Sequence, residues 1–120
     1  MFELSVKSDF ASAHFLRGYE GKCKTLHGHT WKVEVTLQSK QLDKIGMVAD
    51  FAMIKRQLRE FLEHLDHVHL NELTCFKEIN PTTENLARYI CEEFPKKYKV
   101  PNVTKVTVWE SDNASATYYK

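Results

Sequence analysis

Residues 27–38 read His-Gly-His-Thr-Trp-Lys-Val-Glu-Val-Thr-Leu-Gln, and Trp31, Val33, Val35 and Leu37 fall on alternate positions. Period-two alternation of large apolar and polar residues predicts a half-buried strand. The same period opens the chain, where Phe2, Leu4 and Val6 alternate with Glu3, Ser5 and Lys7 within residues 1–16. Between the two lies a polar stretch from Arg17 to Lys24 holding Gly18 and Gly21, which reads as a loop. The strands could pair antiparallel through it, although a loop of that length leaves their register open.

Further along, the period changes. Gln41 to Gly46 reads as a turn, and Asp50 is placed to cap a helix whose apolar positions are Phe51, Ile54, Leu58, Phe61, Leu62 and Leu65. Spacings of three and four put these on one stripe. Helicity weakens at Asp66-His-Val-His-Leu-Asn. A second helix is expected after Asn80-Pro81, capped by Thr82 or Thr83, with Leu86, Ala87, Ile90, Cys91 and Phe94 inward and Pro95 marking its weakening end. Val103, Lys105 and Thr107 then alternate with Thr104, Val106 and Val108. Asp112-Asn113 is turn chemistry, and Thr117-Tyr-Tyr could be a last short strand.

The order strand, strand, helix, helix, strand, strand predicts an α+β fold, an antiparallel sheet carrying both helices on one face. A length of 120 residues accommodates one domain, residues 1–120. Four strands are too few to close a barrel, for which about eight is a small case. Both sheet edges are therefore expected to be open, and pairing with further copies is one remedy.

Composition removes several classes of function. Lys and Arg number 17 against 16 Asp and Glu, so the basic excess of a nucleic-acid binder is missing. No apolar run approaches the ~18 residues of a membrane span, and the opening Met-Phe-Glu-Leu-Ser-Val does not read as a secretory signal. Cys23, Cys75 and Cys91 are an odd number, too sparse for a disulfide scaffold, which favours a reducing cytoplasmic setting.

Chemistry concentrates in the histidines. His27 and His29, two apart on a strand, project from the same face, and Gly28 between them lets another backbone approach. His14, thirteen residues before His27, could join them if the strands pair. Two neighbouring imidazoles repel when protonated but suit a divalent cation when neutral. Three histidines with an open position is the donor set of a catalytic zinc. The plainer alternative is two surface histidines and one core histidine. Cys23, four residues before His27, reads either as a fourth ligand that closes the site or as a thiolate beside the metal acting as a general base. Asp66-His67 reads equally as an acid–base pair or as a histidine favoured by a helix C-terminus. Glu110, after Val-Thr-Val-Trp, ends a strand where a carboxylate can face a pocket mouth. His64, His69, Cys75 and Cys91 carry no such signal.

Taken together, Ser12-Ala-His14, Cys23-x-x-x-His27-Gly-His29, Asp66-His67, Pro81-Thr-Thr-Glu84-Asn85 and Trp109-Glu110-Ser resemble the 6-pyruvoyltetrahydropterin synthase family over nearly the whole chain. The three residues between Cys23 and His27 are most similar to the 6-carboxy-5,6,7,8-tetrahydropterin synthase branch of the queuosine pathway. The pyruvoyl-forming branch usually has a longer insertion there. The resemblance implies the T-fold, with zinc on His14, His27 and His29, and Cys23 as proton-abstracting base. It further implies a relay through Asp66 and His67, and Glu110 as anchor of the pterin ring. Thr82, Thr83 and Glu84 match the pterin-side segment. The implied reaction converts 7,8-dihydroneopterin triphosphate into a carboxytetrahydropterin with release of acetaldehyde and triphosphate. The implied assembly is a trimer or hexamer whose sheets join into a barrel with active sites between subunits. Arg17, Lys22 and Lys24 could attract the triphosphate. Rival expectations are a pyruvoyl-forming synthase, a structural zinc module closed by Cys23, and a metal-independent pterin-binding protein.

Overall fold

The opening alternation becomes β1, Phe2–His14, and the stretch after the polar loop becomes β2, His27–Ser39, in a computed structural model that describes residues 1–120. The two pair antiparallel over thirteen residue pairs, from Phe2 opposite Ser39 to His14 opposite His27. Inward-facing Val6 and Phe10 lie opposite Val35 and Trp31, all four buried, and Leu4 and Ser8 lie opposite the buried Leu37 and Val33. The register left open by the loop is thus settled by matching two apolar faces.

β3, Val103–Ser111, and β4, Ala114–Tyr119, extend the sheet in the order β1-β2-β3-β4, every pair antiparallel. β4 begins three residues before the expected Thr117. The alternation expected in β3 is broken once: the register shifts between Thr36 and Leu37, leaving Thr104 as an extra residue. That bulge turns Val103 to the same face as Val106 and Val108, and all three are buried. A second bulge falls between Trp109 and Ser111, so Glu110 is the extra residue at the end of β3.

The helices are α1, Phe51–Leu62, packed on β1, and α2, Thr83–Tyr98, packed on β3 and β4. Asp50 caps α1 by accepting from Ala52 N at 2.9 Å. Ile54, Leu58, Phe61 and Leu62 are buried as their spacing requires, with Leu65 following in a 3₁₀ turn. Phe51 departs from the expected stripe and stays 53% exposed in the first turn. Thr82, not Thr83, caps α2, accepting from Asn85 N at 3.0 Å. α2 does not end at Pro95 but runs on to Tyr98, and Lys99 closes it in the left-handed conformation while Val100 N–H bonds Pro95 O at 3.0 Å. Proline's missing N–H falls in the last turn. There the buried Phe94 and Pro95 keep the helix packed on the sheet.

The outer edge of β1 is covered near its end by residues 66–69, through a parallel bridge of Ala13 with His69. No helix is long and apolar enough to cross a membrane.

Full burial of Leu58 at the α1–sheet contact makes Leu58→Ala a cavity-forming change. It should lower stability by about 2–5 kcal/mol. Loss of the cap in Asp50→Ala should cost about 0.5–2 kcal/mol. Urea midpoints at fixed protein concentration check both.

Candidate functional site

His14 and His27 close the β1–β2 ladder face to face, and His29 stands opposite Ser12, two residues along the same inner face. One ring nitrogen from each of the three lies within 4.8 Å of the others. His14 Nδ1 bonds Pro81 O at 2.7 Å and His27 Nδ1 bonds Thr25 O at 2.6 Å. Carbonyl oxygens only accept, so both Nδ1 atoms carry hydrogen, and in neutral rings both Nε2 atoms are bare lone pairs. Those lone pairs face each other at 3.0 Å. Without a cation or an added proton this contact is repulsive. His29 Nε2 is a buried atom with no hydrogen-bond partner, although Glu110 Oε1 stands 3.4 Å away.

Burial pushes the His14 imidazole below its ordinary pKa, against the opposing pull of the Pro81 carbonyl, and its two histidine neighbours push the same way as burial. His29 is likewise lowered by burial, with Glu110 pulling it back up. Both shifts favour the neutral form, which is the form that binds metal. The donor set, the fixed tautomers and the orphaned Nε2 all fit a divalent cation such as zinc. Trp31 lies beneath them, its ring 4.9 Å from that of His14 and 5.0 Å from that of His29. Its N–H bonds Ser12 O at 3.4 Å.

Beside the triad opens a cavity of about 430 Å³ lined by Lys22, Cys23, Thr25, His27, His29 and Glu110. Cys23 reaches it from a 3₁₀ turn, Lys22–Lys24, and lines its wall apart from the cluster of ring nitrogens. Glu110 enters because the bulge in β3 re-aims it, and Thr83 Oγ1 donates to its Oε2 at 3.1 Å. Thr82 is occupied with capping, and Glu84 is an exposed first-turn acid of α2. Lys22 alone of the three basic residues singled out by the sequence lines the cavity. Arg17 donates to Ile79 O and Asn71 O instead.

Asp66 and His67 lie elsewhere, outside the cavity lining, on the outer edge of β1. His67 adopts φ 55°, and this left-handed turn brings its Nδ1 to 2.8 Å from Asp66 Oδ2. Asp66 Oδ1 accepts from Ala11 N at 2.8 Å, and His67 N–H bonds Ala11 O at 2.6 Å. The buried Ser12 hydroxyl joins this corner by donating to Leu65 O. Neighbours on a regular helix could not pair in this way. The pair faces outward, with the His67 side chain 82% exposed.

The family model described as 6-pyruvoyl tetrahydropterin synthase matches residues 3–120. The chain belongs to this family. A protein of Synechocystis named 6-carboxy-5,6,7,8-tetrahydropterin synthase is 35% identical, with 99% of this chain and 94% of that protein covered. A human protein named 6-pyruvoyl tetrahydrobiopterin synthase is 36% identical over 97% and 90% of the two chains. Among solved structures, a Caenorhabditis elegans 6-pyruvoyl tetrahydropterin synthase superposes with a TM-score of 0.90 at 28% identity, covering 99% of this chain and 95% of that one. The α+β T-fold expected for a 6-pyruvoyl tetrahydropterin synthase is the fold observed.

Several contributions to this candidate site are announced by no side-chain pattern. Pro81 and Thr25 act through carbonyls, which no side-chain motif reports. Trp31 was visible as the next inward position after His29 but reads there as plain core. The remaining histidines lie outside the triad: His64 bonds Phe61 O and the Tyr89 hydroxyl, and His69 faces Glu72. Cys91 is fully buried, and burial pushes its thiol pKa up, as it does for Cys75.

The Ala11 N–H, and after it His67, hold the Asp66 carboxyl below the ordinary carboxylate range. A depressed carboxyl contributes stability that is complete above the unfolded value of about 4 and is lost as pH falls through the lower native value. Urea midpoints measured against pH should therefore show a steeper loss in acid for the wild type than for Asp66→Asn, which lacks the titrating group. Parallel curves would contradict this.

Proposed function

We propose that the chain is a zinc-dependent 6-carboxy-5,6,7,8-tetrahydropterin synthase. It would convert 7,8-dihydroneopterin triphosphate to 6-carboxy-5,6,7,8-tetrahydropterin with release of acetaldehyde and triphosphate, a carbon–carbon lyase step of queuosine (7-deazaguanine) biosynthesis. The observation that carries this reading is the convergence of three imidazoles, His14 and His29 among them pushed toward the neutral form by burial, beside a cavity that also holds a thiol and a carboxylate. The short Cys23–His27 spacing and the name of the Synechocystis relative support the carboxy-forming branch. The human relative's name favours the pyruvoyl-forming reaction as the second reading.

His14, His27 and His29 would hold the zinc. A metal bound there would supply Lewis-acid stabilisation of negative charge developing on the substrate. Cys23, on the cavity wall, takes the proton from the adjacent carbon as general base. Glu110 receives the ring N–H and exocyclic amine of the pterin on its two oxygens, a bidentate contact. Thr83 fixes the rotation of that carboxylate, and Thr82 and Glu84 contribute to the same side of the pocket. Lys22 offers a positive charge to the triphosphate.

Asp66 fixes the His67 tautomer with hydrogen on Nδ1, leaving Nε2 to exchange protons. Since the pair faces outward from the β1 edge, it would serve the cavity of a second copy. The two edge strands of the sheet support assembly into a trimer or hexamer. Three cysteines outside any disulfide are consistent with a cytoplasmic setting.

Product analysis with dihydroneopterin triphosphate tests the assignment. Acetaldehyde with carboxytetrahydropterin is expected, and a pyruvoyl product would transfer the chain to the second reading. Cys23→Ala should keep its zinc and lose turnover by roughly 10²–10⁴-fold. A metal-free Cys23→Ala protein would instead indicate a structural zinc module.

A further inference from the structure

Past His14, the last residue of β1, the chain keeps making strand-like hydrogen bonds. Phe15 N–H donates to Asn71 Oδ1 at 2.9 Å, and Phe15 O accepts from Asn71 Nδ2 at 3.0 Å. Two residues on, Arg17 N–H donates to Asn80 Oδ1 at 2.8 Å, and Arg17 O accepts from Asn80 Nδ2 at 2.9 Å. Each carboxamide offers one acceptor and one donor, the pair that a neighbouring strand would present. Ala11, Ala13, Phe15 and Arg17 point their backbone groups the same way, so these clasps continue the outward series begun by Asp66 and Val68.

The residue between the clasps turns its N–H to the other side of the strand. Leu16 N–H donates to Cys23 O at 2.8 Å, the bond that joins the Cys23 turn to this extension of the strand. Both clasps are themselves secured. Asn71 is 5% exposed, Asn85 Nδ2 donates to Asn80 O at 2.9 Å, and the Arg17 guanidinium ties Ile79 O and Asn71 O together. Aspartate cannot substitute at either position, because it would set a carboxylate oxygen against a carbonyl oxygen with no hydrogen between.

We infer that Asn71 and Asn80 are positioning residues for Cys23, their carboxamides prolonging β1 to Arg17 so that Leu16 holds the thiol-bearing turn beside the three histidines. This rests on the proposed role of Cys23 as base. Neither asparagine is among the residues that line the cavity.

Asn80→Asp in the full chain is the test, read by amide hydrogen exchange at Leu16 and residues 22–25 together with kcat, KM and metal content. Exchange at Leu16 should quicken by roughly tenfold or more, since the Arg17 carbonyl loses its donor and meets a carboxylate oxygen instead. kcat should fall by roughly ten- to a hundredfold, with KM within about twofold and bound metal unchanged. Should Asn80→Asp fail to fold, Asn80→Ala is measured in the same way with the same expectations. Unchanged Leu16 exchange overturns the inference, as does faster exchange with wild-type kcat. Loss of metal in step with turnover also overturns it, because the clasp would then serve the histidines. If Cys23→Ala itself turns over at the wild-type rate, the proposed function fails, while Leu16 exchange still decides whether the clasps hold the turn.

Discussion

Thirteen cross-strand pairs between β1 and β2 place His14 opposite His27 and Ser12 opposite His29, and every later feature of the site presumes that register. A slip of one residue would send every side chain of one strand to the other face. It would separate Phe10 from Trp31 and Val6 from Val35, pairs that bury the middle of the sheet. The same apolar contacts that stabilise the fold thus fix the spacing of the histidines. Full burial of side chains of this kind stabilises by about 1.5–3 kcal/mol each, so the register is set by many residues far from the chemistry.

Upon that frame the chain builds an environment for neutral imidazole. Burial disfavours the imidazolium, and backbone carbonyls of Pro81 and Thr25 fix which nitrogen carries hydrogen. The Nε2 lone pairs are held together at a distance unfavourable for bare rings but suited to sharing a cation. Glu110 adds a negative charge on the His29 side, where the bulge in β3 and the Thr83 hydroxyl hold it. Three separate elements, the β1–β2 ladder, the start of α2 and the end of β3, therefore meet at one point.

Much of this was legible in residue order. The period-two runs gave the strands, the stripe from Ile54 to Leu65 gave α1, and His-x-His with an upstream histidine gave the donor set. What stayed hidden depends on long-range geometry. No local pattern announces that Thr104 and Glu110 are bulge residues, because a bulge is a property of two paired strands. Pro95 signalled a helix end that tertiary packing carried past, and Phe51 fitted a stripe that its place in the first turn leaves exposed. Asp66 and His67 were visible as a pair, but their outward position on the β1 edge required the left-handed turn at His67.

The proposed chemistry needs a cation held by three ring nitrogens with a coordination position left over. X-ray absorption at the zinc edge of the purified protein examines this without reference to any substrate. The first shell should contain nitrogen or oxygen scatterers near 2.0–2.1 Å only, with the outer-shell signature of imidazole. A sulfur scatterer at about 2.3 Å would show Cys23 closing the site, and a protein that binds no metal at all would remove the centre of the account.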